Sequence, residues 1–377
     1  RTIRAERTES DFGGQLTRAP DLDNASGGIV KKNLKLALAQ LLLISVACGS
    51  SNSNSTENTS NPSVTLLTHD SFAVSEGLFD LFTAKTGISV EQLSMGDTGQ
   101  LISTAILTKN DPLGDVVFGI DNTFLSRAVN AEILQPVEFS PGNEVKTELI
   151  YEESPYLTPI DFGHVCVNFW KDYFSEDLPP PETFDDLLDP IYSDMLVVQN
   201  PETSSPGLAF LLSTISFYGE NWTDFWQGLK ENNISVTSDW ESSYYGDFIA
   251  GGGKKPLVVS YASSPIAELI YSDPKVEVSP TGIIKDTCFK QVEYAGILKG
   301  AENYSEAIQL IDFLISSDFQ NDIPLNMFMM PVSSDASIPD EFLDYPVIKN
   351  EKLPISALQI DENRNSWTDL WTEIVLR

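Results

Sequence analysis

Three short segments place small hydroxyl residues where an apolar run gives way to a helical pattern: Asp97-Thr98-Gly99, Thr203-Ser204-Ser205-Pro206-Gly207 and Ser263-Ser264-Pro265. Free backbone N–H groups at a helix start, joined by Ser and Thr hydroxyls, donate well to a phosphate or carboxylate. Proline at the first helical position gives up only an N–H that has no helical partner. Ordinary helix capping uses the same residues, so one such turn says little. Three at corresponding places point to an anionic or strongly polar ligand. A second group is aromatic: Trp240, Tyr244 and Tyr245 lie in a polar, Ser-rich stretch, and Tyr261 ends an apolar strand. Trp240 and Tyr244 are four residues apart, so on a helix they share a face. Rings beside acidic residues suit a flat cationic ligand through stacking and cation–π attraction. The competing reading of these rings is plain core.

The elements that must position these residues alternate. Val64 to Thr68 reads as a strand, and Ser75 opens a helix through Leu78, Phe79, Leu81 and Phe82 that Gly87 stops. Ile88 to Leu93 is a second strand, Asp97-Thr98-Gly99 opens a second helix, and Asp115 to Ile120 is a third strand. This βαβαβ order implies a mostly parallel sheet with helices on both faces. The pattern returns at Leu196-Val197-Val198 before the Thr203 turn, and at Pro256 to Tyr261 before the Ser263 turn. In such sheets ligands bind beyond the carboxyl ends of the strands. The expectation is an α/β fold of two lobes, 64–163 plus 288–377 and 164–287, with the ligand cleft between them. Trp222 and Trp226 read as a buried stripe on a surface helix, and Arg364, Trp367 and Trp371 as a terminal helix packed on its lobe. Gly251-Gly252-Gly253-Lys254-Lys255 lacks the spacing of a phosphate loop and is given no chemistry.

An address precedes the fold. Lys31, Lys32 and Lys35 stand before an apolar run from Leu36 to Ala47, followed by Cys48 and a Ser/Asn-rich stretch. A positive start, a short apolar core and small residues before a cut are the parts of a secretory signal. The run is short for a membrane span, and the stretch after Cys48 has too little apolar surface to fold. The pattern is that of a bacterial lipoprotein: 30–47 a signal peptide, 48–63 a lipidated Cys48 and flexible tether, the protein held outside the cytoplasm by its lipid. Plain secretion is the alternative. Residues 1–29 fit neither and read as upstream sequence, with the native start near Val30.

Composition sharpens this. Residues 1–47 carry seven basic and five acidic residues, so the remainder has 16 against 50, a formal charge of −34. Such a surface repels nucleic acid and anionic lipid. Two His and three Cys limit metal and redox chemistry, and neither a metal, a cofactor nor a catalytic group is expected. With Cys48 assigned to the lipid, Cys166 and Cys288 remain. In an oxidising compartment two leftover Cys are expected to pair into a disulfide, two buried thiols being the alternative; a bridge would contribute about 3–4 kcal/mol.

A set of motifs resembles a known family: His69-Asp70-Ser71-Phe72, Gly96-Asp97-Thr98-Gly99, Asp115-Val116-Val117-Phe118-Gly119-Ile120-Asp121-Asn122, Thr203-Ser204-Ser205-Pro206-Gly207-Leu208, Asp239-Trp240, Ser260-Tyr261-Ala262-Ser263-Ser264-Pro265 and Gln291-Val292-Glu293. In order and spacing, over roughly 64–335, they resemble the thiamine-binding proteins of bacterial ABC importers. The resemblance implies a type II periplasmic-binding fold, monomeric in use, that closes on thiamine or its mono- or pyrophosphate and docks on a permease. It implies that Asp97, Thr98 and Gly99 face the ligand from the first lobe, that Ser204 and Ser205 hold its phosphate or hydroxyl end, and that Trp240 and Tyr261 pack on its rings. His69 stands where the family often has Tyr, Ala267 where some members have Tyr, and Phe328 where a stacking Trp is familiar. Asp70, Tyr244 and Ser264 complete the expected contacts, and Asp121 is a sensible partner for the thiazolium charge.

Two rivals share the fold type. One is a thiaminase-like enzyme with Cys166 as nucleophile, which a Cys166–Cys288 bridge would remove. The other is a ferric-ion binder using the adjacent Tyr244 and Tyr245, with His69 in reach.

Overall fold

The computed structural model describes residues 62–377 apart from 138–144, 147–148, 151–154, 273 and 349–354. The signal-like run, Cys48 and the tether as far as residue 61 lie outside the described residues. The chain runs β1 (Ser63–Thr68), α1 (Leu78–Thr86), β2 (Ser89–Ser94), α2 (Thr98–Leu107), β3 (Val116–Asp121), α3 (Leu125–Asn130) and β4 (Leu134–Gln135). It continues with β5 (Thr158–Trp170), β6 (Leu196–Gln199), α4 (Ser205–Tyr218), α5 (Trp222–Glu231), β7 (Ser235–Thr237), β8 (Leu257–Tyr261) and α6 (Ser264–Tyr271). Last come β9 (Thr281–Leu298), α7 (Tyr304–Leu314), α8 (Ser317–Gln320), α9 (Ile323–Asn326), β10 (Met330–Pro331) and α10 (Ala357–Val375).

The strands form one sheet in the order β2-β1-β3-β9-β5-β8-β6-β7, with β10 on β5 and β4 on β9. The arrangement is symmetric about its middle. β1, β2 and β3 are mutually parallel at one flank, and β6, β7 and β8 at the other. Between them β5 and β9 run antiparallel to each other and to the strand on either side. These two strands, 13 and 18 residues long, join the flanks, β9 pairing with β3 and β5 with β8. The expected crossings at 163/164 and 287/288 both fall inside this pair. Each parallel flank thus keeps the βαβ logic read from the sequence, while the long antiparallel centre was not anticipated.

Local signals explain most boundaries. Asp97 caps α2, its carboxylate accepting from Thr98 N at 2.7 Å, and Gly87 ends α1 in the left-handed region that glycine enters without strain. Ser75 does not cap α1, which starts three residues later after Gly77. α4 is buried at every residue from Ser205 to Thr214. A helix apolar all round belongs inside, and α4 lies in the largest core cluster, beneath the sheet centre. α5 instead buries Trp222, Phe225, Trp226 and Leu229, the spacing of a single stripe.

The terminal helix does more than cover one lobe. A Ser356–Gln359 capping box starts α10, and Trp371 packs edge-on against Trp226 of α5 at 5.5 Å. On the other side Asn130 at the end of α3 donates to Asp361 at 2.6 Å. Arg364 lies over the Phe124 ring at 4.6 Å and pairs with Glu202 at 3.6 Å. α10 therefore straps both flanks of the sheet.

Cys166 and Cys288 are joined in a disulfide. The bond sits where the β5–β9 register slips between Val165 and Val167, and Ala262, Ile283, Tyr345 and Ile348 pack around it. Cys166 therefore carries no thiol to act as a nucleophile. A bridge spanning 122 residues restricts the unfolded chain strongly. Replacing both cysteines by Ala is expected to lower the unfolding free energy by about 2–5 kcal/mol, read from urea midpoints with and without the bridge. An unchanged midpoint would show that the bridge has no structural part.

Candidate functional site

A cavity of about 530 Å³ opens beside the carboxyl ends of β1 and β8. One wall is aromatic. Trp240 precedes a short π-helix, Ser242–Asp247, and its ring stacks on Tyr244 at 5.0 Å and 22°. Tyr261 meets the Trp240 face edge-on at 6.0 Å. The indole is pinned: Trp240 Nε1 donates to Ser260 Oγ at 2.9 Å, and Ser260 bonds Ser264 Oγ at 2.8 Å. Ser264 thus holds the stack in place as well as lining the cavity. Tyr244 donates its hydroxyl to Glu268 at 2.7 Å.

The opposite wall comes from the loop after β1 and the segment after α9. His69, Asp70 and Phe72 supply the first part; Met327, Phe328 and Met329 supply the second. Phe328 sits at φ 56, unusual for a bulky side chain, and packs on Phe342 and Tyr271. Tyr271 reaches across the opening to donate to Leu325 O at 3.1 Å. Where the sequence comparison expects a ring at Ala267, the ring comes from Tyr271, one helical turn later on the same face of α6.

The lining is acidic, with Asp70, Glu241, Glu268 and Glu293 on its surface. Glu293 is buried and lies 3.4 Å from His69 Nε2. Burial pulls the His69 pKa down, but Glu293, Asp97 and Asp70 outweigh it and hold it above the ordinary value. His69 has a fixed seat because Gly119, at φ +97, leaves it room; a Cβ there would lie 2.3 Å from the imidazole.

Of the expected contacts, His69, Asp70, Trp240, Tyr244, Tyr261, Ser264 and Phe328 line the cavity. Asp97, Thr98, Gly99, Asp121, Ser204 and Ser205 do not. The structure brings these six together as a buried network beside it. The Asp97 carboxylate accepts from Ser205 N and Trp240 N, both at 3.2 Å, besides Thr98 N. Gly99 N donates to Thr203 O at 3.1 Å, and a Cβ on Gly99 would lie 2.5 Å from Glu202 O. The two helix starts therefore meet each other, and the donors expected to hold an anion are spent on a carboxylate of the chain itself. Thr98 Oγ1 donates to Gly119 O at 3.0 Å. Ser204 lies against the Asp97 carboxylate, and Ser205 Oγ is joined through Gln291 Nε2 to Asp121. Asp121 is fully buried and closes its own turn, accepting from Thr123 N, Thr123 Oγ1 and Phe124 N. Burial raises its pKa to about 7, with Glu293 adding to the rise.

Tyr245, named in the aromatic group, lines the cavity too, and Glu241, Glu268, Tyr271, Met327 and Met329 line it without having been singled out in the sequence. Glu293 was quoted only within a motif. For Tyr271 the helical spacing from Ala267 was the available signal; Glu268 lies beside Ala267 in the same turn. Among the described residues no group of three or more His, Cys, Asp and Glu is placed to hold a metal ion. The Tyr244 hydroxyl, a candidate iron ligand, is committed to Glu268.

The Asp121 environment fixes a pH dependence. Between pH 4 and 7 the folded protein keeps a proton that the unfolded chain has lost, so this group erodes stability as pH rises through that window and not outside it. Asp121→Asn is expected to shrink the loss of unfolding free energy between pH 4 and 8 by roughly 2–4 kcal/mol. Urea titrations of both proteins across that range measure it. Parallel curves would show that Asp121 ionises normally.

Residues 111–349 match the model of the bacterial extracellular solute-binding protein family. A thiamine-binding periplasmic protein of Salmonella typhimurium is 28% identical over 323 residues, covering 84% of this chain and 94% of the relative. Its Escherichia coli counterpart is 26% identical over 322 residues, with the same coverages. Among solved structures, a periplasmic thiamin binding protein superposes with a TM-score of 0.75 at 24% identity, covering 84% of this chain and 97% of that one. That likeness shows the fold, the two-lobed type II periplasmic-binding arrangement. The chain belongs to the bacterial extracellular solute-binding protein family.

Proposed function

We propose that the protein captures thiamine in this cavity and delivers it to the permease of an ABC importer, making and breaking no bond. The observation that carries this reading is the Trp240–Tyr244 stack, with Tyr261 at its edge, in a cavity that the carboxylates Glu241, Glu268 and Glu293 also line. Thiamine has two flat rings and a permanent positive charge on its thiazolium. Aromatic faces attract such a cation by about 0.5–2 kcal/mol each, more when water is excluded, and nearby carboxylates add charge complementarity. The names of the two sequence relatives agree with this ligand.

Phosphorylated forms fit less well. The donors at the start of α4 already serve Asp97, and the cavity wall repels a second negative charge. The reading includes closure of the lobe 64–163 plus 288–377 upon the lobe 164–287. It also includes a leader over 30–47, lipid attachment at Cys48 and a tether to residue 63, which hold the binding lobes near the permease.

Calorimetric titration with thiamine, thiamine monophosphate and thiamine pyrophosphate tests it. The expected result is one-to-one binding without turnover, with thiamine at least as tight as the pyrophosphate. Trp240→Ala should weaken thiamine by about tenfold or more, a loss of 1.4 kcal/mol or more. No heat with any of the three would overturn the assignment.

A further inference from the structure

Three carboxyl groups stand side by side across the middle of the sheet. Asp121 on β3 and Asp161 on β5 both pair in register with Glu293 on β9. Residues directly opposite across a ladder project to the same face, and like charges so placed repel. Asp121 and Asp161 are fully buried and Glu293 is 4% exposed. Asp121 is satisfied by Thr123, Phe124 and Gln291. Asp161 is different: neither of its oxygens meets a donor among the described residues. An ionised Asp161 would be a buried charge without a partner, which costs several kcal/mol. Holding a proton instead, it donates to Glu293, and burial together with Glu293 pushes its pKa well up.

Glu293 is the member of this row that reaches the cavity. The aromatic wall faces it from an independent part of the chain. The other titratable groups around it are His69 and Asp70 after β1, Asp97 at the start of α2, and Tyr261 on β8. His69 is the one base among them, with Nε2 at 3.4 Å.

We propose that Glu293 is the counter-ion that selects a positively charged ligand, and that seating the cation beside it drives a proton from the Asp161–Glu293–His69 group into solvent. The inference rests on the thiamine reading and adds a proton to its binding equation. A fixed positive charge replaces a mobile one, so affinity rises with pH until the group has nothing left to release.

Titration calorimetry with thiamine, at several pH values and in phosphate and Tris buffers of unlike ionisation enthalpy, counts the protons. The wild-type protein should release about 0.5–1 proton per thiamine near pH 6.5 and bind more tightly at pH 8 than at pH 5.5. Glu293→Gln, whose amide oxygen still accepts from Asp161, should lose about tenfold or more in affinity and show a flat pH profile, while keeping a single cooperative melt. Asp161→Asn, whose amide donates to Glu293 at every pH, should still bind thiamine but release fewer protons. Thiamine binding with buffer-independent heat and a flat wild-type profile would overturn the proposal, as would unchanged affinity in Glu293→Gln. Absence of any thiamine binding would overturn the ligand assignment itself, and this inference with it.

Discussion

One carboxylate ties the working parts together. Asp97 accepts backbone N–H groups from its own helix start, from the start of α4 and from Trp240. Ser205 and Trp240 stand 108 and 143 residues from Asp97 in sequence. A buried carboxylate needs such donors, because without them its desolvation is uncompensated. The requirement is mutual: α4 starts in the interior, where its own orphan N–H groups need an acceptor. Once Asp97 is satisfied, α2 and α4 meet end to end, and the backbone at Trp240 is fixed. The stack on Tyr244 and the bond from the indole to Ser260 then follow from that anchored backbone.

The second constraint is the antiparallel β5–β9 pair. It carries both flanks, holds the disulfide at its slip in register and sets Asp121, Glu293 and Asp161 abreast. A sheet centre is a costly place for three acids. Two lie away from the cavity, one in hydrogen bonds and one against its neighbour, which leaves Glu293 as the member at the cavity wall. The acidity that makes this row expensive also makes the cavity selective for positive charge.

Much of this was legible because it is local. Strand, hydroxyl-rich turn and helix follow one another within a dozen residues at Asp97, Thr203 and Ser263, and each boundary has a capping or proline signal. Spacing also placed Trp240 over Tyr244. What was not legible is set by distant partners. β5 and β9 are buried on both faces and slip register twice, so they show no clean alternation. Asp97 was expected to face a ligand, but two of its donors, Ser205 N and Trp240 N, come from across the fold, and propensity says nothing about which residue will fill a helix start. Asp121 was read as a ligand carboxylate for the same reason. Tyr271 was missed because its ring replaces one expected a turn earlier. The terminal helix shows its buried stripe in sequence; that the stripe touches both α3 and α5 does not follow from periodicity.

Capture of thiamine as proposed seats a flat cation between the Trp240–Tyr244 stack and Glu293. A crystal structure of the protein grown with thiamine tests it most directly. The expected result is a thiamine ring within about 6 Å of the Trp240 or Tyr261 ring centre, with its positive charge turned towards Glu293 and the Asp97 bonds to Ser205 and Trp240 kept. Thiamine seated at the α2 and α4 helix starts, with Asp97 displaced and Glu293 facing no positive charge, would contradict it.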